Sequence, residues 1–174
     1  QNSSLGRCMR SRGEEDTVKD RRQVYFLTSN RDKFTEAAAV VAEASGIRLR
    51  MLTGTKIEIQ SNTLRRIASY AAQEAANRLG VAVVAEDAGL FIDGLHGFPG
   101  PYSSDVFKRI GTKGVLKLMR NISRRNAEFC SSVAYCAPHR RPKCFTGTVT
   151  GRIGLYPRGA GGFGFDPIFI PFKG

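Results

Sequence analysis

The stretch "AEDAGLFIDGLHGFPGPYSS", Ala85–Ser104, follows the apolar run "VAVVA" (Val81–Ala85) and sets two adjacent acids ahead of four glycines and two prolines. Val81–Ala85 reads as a buried strand, and successive side chains of a strand point to opposite faces. Glu86 and Asp87 at its end therefore face opposite ways, and only one can enter a given cleft. Open α/β sheets gather ligands beyond the carboxyl ends of their strands. A carboxylate there suits Mg2+, which takes oxygen ligands and often keeps waters and phosphates in its shell. The plainer alternative is a polar strand end with both acids solvated. The apolar residues that follow favour the first reading, because a solvated turn rarely carries so many. Gly89, Gly94, Gly97 and Gly100 permit unusual backbone angles, and Pro99 and Pro101 stiffen the loop. His96 reads as structural.

Upstream, "VYFLT" (Val24–Thr28) is a short β-type run, "SNRDKF" a polar turn, and "TEAAAVVAEAS" a string of helix formers closed by Gly46. A helix that starts within "TSNRDK" offers free N–H groups to an anion. Ser29 and Asn30 add donors, and Lys33 can swing to the same side. A triphosphate cradle and a simple capped helix, with Asn30 as the cap and Lys33 solvated, both fit this segment. The glycine ladder of a P-loop is absent.

Downstream, "GAGGFGFDPIF" surrounds Phe163 and Phe165 with Gly159, Gly161, Gly162 and Gly164, and Asp166 precedes Pro167. Glycines let the backbone approach a flat ligand, an aromatic face stacks on a base, and Asp166 can accept from ring N–H groups. The competing reading is a Gly-rich loop whose two Phe plug the core.

The rest of the chain supplies the frame. "IRLRML" (Ile47–Leu52) alternates as a strand. Leu64, Ile67, Ala68, Ala71, Ala72, Ala75 and Leu79 form one face of a helix over 62–79, with Ser61 or Asn62 as its cap. "SDVFKRIGTKGVLKLMRN" reads as helix, break at Gly111, helix. "AEFCSSVAYCA" and "KCFTGTVTGRIGLY" are predicted to pair antiparallel across "PHRRP". Early strand–helix units and a later hairpin predict an α/β fold with a central mixed sheet.

At 174 residues and 41% hydrophobic content the chain suits one domain, and no apolar run approaches a membrane span. Residues 1–22 read as a polar, disordered extension, and the folded domain as 23–174. Cys8, Cys130, Cys136 and Cys144 form no C-x-x-C pair and read as reduced thiols of a cytoplasmic protein. The net charge of +12 favours an anionic partner. The basic residues are scattered and there is no Trp. A small polyphosphate therefore explains the sign as well as a nucleic acid does.

Taken in order, "TSNRDKF", "EDAGLFIDGLHGFPGPYSS" and "FTGTVTGRI…PRGAGGFGFDPIFIP" resemble the inosine triphosphate pyrophosphatase family, from about Val24 to Pro171. The resemblance implies two lobes with a cleft between them, a homodimer, and Mg2+-dependent hydrolysis of ITP, dITP and XTP to the monophosphate and pyrophosphate. By position, Thr28, Ser29, Asn30 and Lys33 would hold the triphosphate. Asp87 would bind metal and activate water, with Glu86 as a neighbouring or substitute ligand. Phe163, Gly164, Phe165 and Asp166 would form the base platform. Three departures stand against this. Arg66 occupies the place of an acid that helps hold metal in the family, and Arg cannot ligate Mg2+, so either Glu58 or Glu86 substitutes or metal affinity is low. Ala88 replaces a frequent Ser. The chain stops at Gly174 before a Lys and a Ser-His-Arg segment usual in the family, so the expectation is either an incomplete C-terminal end or a base read with fewer contacts. A non-catalytic nucleotide or nucleic-acid binder is the alternative they motivate.

Overall fold

A computed structural model describes residues 23–44, 46–159 and 162–172. The expected extension 1–22, Cys8, Gly161 and Gly174 lie outside the described residues. Seven strands form one sheet flanked by three helices: β1 (Gln23–Leu27), α1 (Arg31–Ala44), β2 (Arg48–Leu52), α2 (Leu64–Leu79), β3 (Val83–Ile92), β4 (Pro99–Gly100), α3 (Ser103–Leu118), β5 (Asn126–Cys136), β6 (Lys143–Ile153) and β7 (Phe169–Pro171). The order across the sheet is β2-β1-β3-β5-β6-β7, with β4 on the side of β3. β1 is parallel to β2 and β3, and the β3, β5, β6 and β7 contacts are antiparallel. This is the mixed sheet predicted from the sequence, and the β5–β6 hairpin spans the "PHRRP" turn as expected.

Two apolar clusters cover opposite faces of β3. Val83 and Ala85 pack with Leu27 and with Ala68, Ala71, Ala72 and Ala75 of α2. Leu90 and Ile92 pack with Val115 and Met119 of α3 and with Phe165 and Ile168. Odd and even positions of one strand thus feed different cores, as period-two alternation requires. The predicted stripe of α2 is buried from Leu64 to Ala76, but Leu79 is 40% exposed, because the helix ends there at Gly80, which takes φ 68°. Thr63 is the residue that precedes this helix, and its side chain makes no capping bond. The cap assigned to Ser61 or Asn62 is thereby corrected: Ser61 Oγ accepts from the Thr63 N–H at 3.2 Å, one turn earlier. The predicted break in α3 is present, with Gly111 at φ 60°.

The largest difference from expectation concerns β3. It does not stop at Ala85 but runs ten residues to Ile92, so Glu86 and Asp87 lie mid-strand and "GLFI" is strand rather than loop. β5 supplies a partner at every position from Val83 to Ile92. The chain then turns through Asp93–Leu95 and returns as β4 against Leu90 and Phe91. Gly89 makes this return possible, since a Cβ there would lie 2.2 Å from the Gly100 carbonyl oxygen. Buried Ser103 locks it: its Oγ accepts from the Leu90 N–H at 2.8 Å and donates to the Gly100 carbonyl at 2.7 Å.

Candidate nucleotide site

The parallel part of the sheet still ends where the sequence placed a ligand site. β1 pairs with β3 only as far as Leu27–Ala85. Beyond that point β1 turns into α1, and β3 continues with β5 alone until β4 joins it. The edge at Glu86–Gly89 therefore opens beside the amino end of α1, where the strand order departs from β1 on both sides.

Short-range bonds fix the turn into α1. Thr28 Oγ1 accepts from the Asn30 N–H at 3.1 Å, and Asn30 Oδ1 accepts from the N–H groups of Asp32 at 2.9 Å and Lys33 at 3.1 Å. Asn30 is thus the helix cap, and its NH2 remains as a donor. Ser29 is exposed at the tip. Lys33 is not a solvated lysine: its Nζ meets Glu86 Oε2 at 2.8 Å. Glu86 Oε1 also accepts from Ser131 on β5 at 2.8 Å.

Asp87 follows Glu86 on β3, and both carboxylates line the same polar pocket, which corrects the expectation that only one of them enters a given cleft. Asp87 Oδ2 is buried and has no hydrogen-bond partner. Burial pushes its carboxyl up to about 6; Lys56 and Lys33 pull down, while Glu58 and Glu86 push further up. Lys56, on the segment after β2, lies 3.9 Å from Asp87 Oδ1 and 2.7 Å from Glu58 Oε1. It also donates to the Glu86 carbonyl at 2.9 Å, a backbone acceptor beyond the last β1 partner.

Two adjoining pockets share Asn30, Lys33, Glu86, Ala88 and Ser104. One, of about 470 Å3, is polar and takes in Thr28, Ser29, Lys56, Glu58, Asp87 and Lys108. The other, of about 430 Å3, is walled by Phe107, Phe129, Phe163, Gly164, Phe165 and Asp166. The residues assigned to phosphate, metal and base in the sequence therefore all line one of the two. Their parts differ, however. Phe163 is 41% exposed and offers a ring face, whereas Phe165 is 3% exposed and meets Phe107 edge-on at 5.2 Å between ring centres. Asp166 Oδ2 accepts from the Phe163 N–H at 2.8 Å and so holds that ring's backbone in place. Arg66 lines a separate hollow beside Tyr102 with Gln60 and Thr63.

Among the described residues there is no group of three or more His, Cys, Asp or Glu side chains arranged to hold a metal. The unpartnered oxygen of Asp87 nevertheless fits a divalent cation whose remaining ligands are phosphate and water. Lys56, Lys108, Ser103, Ser104 and Phe107 were not singled out from sequence. Lys56 and Lys108 carry no signal there, being lone lysines among many.

A mixed sheet with a lysine-rich polar pocket opening into an aromatic one describes a nucleotide-handling α/β protein. The sequence profile of the Ham1 family matches residues 24–174, and the chain belongs to that family. The dITP/XTP pyrophosphatase of Methanopyrus kandleri is 49% identical over 149 residues, 86% of this chain and 79% of that one. The protein of the same name from Hyperthermus butylicus is 46% identical over 150 residues, 86% and 78% of the two chains. The crystal structure of a nucleoside-triphosphatase, dITP/XTP pyrophosphatase, from Mycobacterium abscessus superposes with a TM-score of 0.72 at 29% identity, covering 87% of this chain and 85% of that one. A HAM1 protein from Coxiella burnetii gives 0.74 at 26% identity, covering 84% and 80%.

Proposed function

We propose that this chain hydrolyses deaminated purine nucleoside triphosphates (ITP, dITP and XTP) to the monophosphate and pyrophosphate. The observation that carries the reading is the buried, unpartnered Oδ2 of Asp87 beside a lysine-bearing polar pocket that opens into an aromatic one. In this reading the triphosphate lies over the amino end of α1, where the Asn30 NH2, the exposed Ser29 and the Lys33 ammonium offset its charge. The base stacks on Phe163, and Phe165 and Phe107 support the wall behind it. The free oxygen of Asp166 is the acceptor for a purine ring N–H, and adenine, which has no N1–H, would set a ring-nitrogen lone pair against it.

Asp87 and Glu86 are the residues that would hold Mg2+, which supplies charge neutralisation on the phosphates and acidifies a bound water. Asp87 orients the attacking water and takes its proton. The water oxygen bonds to the α-phosphorus, the bond to the bridging oxygen breaks, and pyrophosphate leaves with that oxygen. A raised carboxyl pKa suits a base that must also give up its proton near neutral pH. The reading includes a cytoplasmic homodimer; the exposed Val133, Tyr135, Phe145 and Val149 of the β5–β6 face support the second copy.

The test is pyrophosphate release from XTP, ITP and dITP with Mg2+, against ATP and GTP. Turnover of the deaminated substrates is expected, falling at least about a hundredfold in Asp87→Asn. The second reading, a non-catalytic binder, draws on the net charge of +12 and on Arg66. It predicts salt-sensitive binding to RNA or DNA and no pyrophosphate release.

A further inference from the structure

The oxygens around Lys56 are the kind a hard cation takes. Its ammonium is met by a backbone carbonyl (Glu86, 2.9 Å) and by two carboxylates, Glu58 at 2.7 Å and Asp87 at 3.9 Å. An ammonium carries three donors: the Glu86 carbonyl and Glu58 are within hydrogen-bond reach, while Asp87 is held by charge across 3.9 Å. Its side chain is 21% exposed and that of Asp87 is 14%, so the contact is only partly screened by water. Lys56 reaches this place from the segment after β2, thirty positions before Glu86. It fills the edge that β1 leaves open when it departs from β3 after Ala85.

We propose that Lys56 is a tethered counter-cation of the Glu58–Glu86–Asp87 oxygen cluster, and that a divalent ion binds Asp87 only as the Lys56 ammonium withdraws from it. The inference rests on the reading that Asp87 meets a metal, and it makes metal affinity a property set partly by a residue that ligates nothing. Two cations on one carboxylate repel, and the singly charged one is on a flexible stem that can swing to solvent or to the incoming phosphates. The resting protein is thereby kept from leaving two acids uncompensated. Metal and triphosphate then enter together, since the phosphate offers the displaced ammonium a new anion.

Mn2+ binding to the nucleotide-free protein, read by electron paramagnetic resonance, tests this without turnover. Lys56→Met is expected to bind Mn2+ about tenfold more tightly than wild type, the order of effect a nearby unit charge has. Lys56→Gln, which keeps a polar tip if the Met variant folds poorly, should show the same direction. Adding Asp87→Asn to either should erase the gain. Equal or weaker Mn2+ binding in both Lys56 variants overturns the proposal. So does unchanged Mn2+ binding with tripolyphosphate binding weakened in EDTA, which would assign Lys56 to the substrate instead. Failure of wild type to hydrolyse XTP would overturn the proposed activity while leaving the Mn2+ comparison intact.

Discussion

Lys33 on α1 and Glu86 on β3 meet at 2.8 Å, more than fifty residues apart in sequence, at the point where β1 turns into its helix. The pair means that the lysine closest to the helix amino end is already engaged before any phosphate arrives. Substrate must compete with a carboxylate for it. Glu86→Gln is therefore expected to tighten tripolyphosphate binding in EDTA about fivefold, while Lys33→Met weakens it, within the range a partly exposed charge contact commands. Isothermal titration of both variants checks the opposite signs.

Burial raises the Asp87 carboxyl to about 6. If its ionised form serves as base, kcat/KM for XTP rises with pH along an acid limb at or below about 6, because a divalent cation on the carboxylate favours its ionised form. Glu86 and Glu58 both push the value up, so Glu58→Gln should move the acid limb to lower pH. A pH–rate profile from pH 5 to 9 shows it directly.

The same shift has a consequence for stability. The folded state holds the proton of Asp87 more tightly than the unfolded chain, whose carboxyl has the ordinary value of 3.8. Its stabilising effect is therefore full below 3.8 and lost as pH rises through about 6. Asp87→Asn, inactive, is expected to be more stable than wild type at pH 8 by about 2 kcal/mol, and to show no gain at pH 3.5. Urea unfolding at the two pH values measures the difference.

Phe163 and Phe165 are two residues apart and should fail differently. Phe163 is exposed at the pocket, so Phe163→Ala is expected to raise KM for XTP about tenfold or more with little loss of stability. Phe165 is buried with Leu90, Ile92 and Val115, so Phe165→Ala should cost about 3–5 kcal/mol. Steady-state kinetics and thermal unfolding on both variants separate the two roles.

Ser103 lies outside the chemistry but holds β4 to β3. Ser103→Ala removes both its bonds and leaves the Leu90 N–H buried without that acceptor. A loss of about 1–3 kcal/mol is expected, seen as a lower urea midpoint with an unchanged slope.

Much of this was legible in the residues. The Asn30 cap, the α2 stripe and the break at Gly111 all follow from local geometry acting over a few residues. The order of three motifs was enough to suggest the family, because each brings a distinct chemistry. Other features depended on partners that no local pattern announces. Acids and glycines are poor strand formers and predict an end to β3 at Ala85, but the ladder offered by β5 overrides that preference. Leu79 followed the period of its helix but fell past the end of the core.

What the sequence by itself determined is the set of elements and the kinds of residue at the site, since backbone period and side-chain chemistry are local. Only the tertiary structure decided which charges meet. The Lys33–Glu86 contact and the Lys56 contacts with Glu86 and Asp87 join segments brought together where β1 leaves the sheet. Burial there leaves Asp87 with an oxygen that has no partner. Whether a carboxylate is solvated, paired or waiting for a cation depends on distances of a few ångströms between distant parts of the chain, because Coulomb energy and desolvation are set by separation in space rather than in sequence.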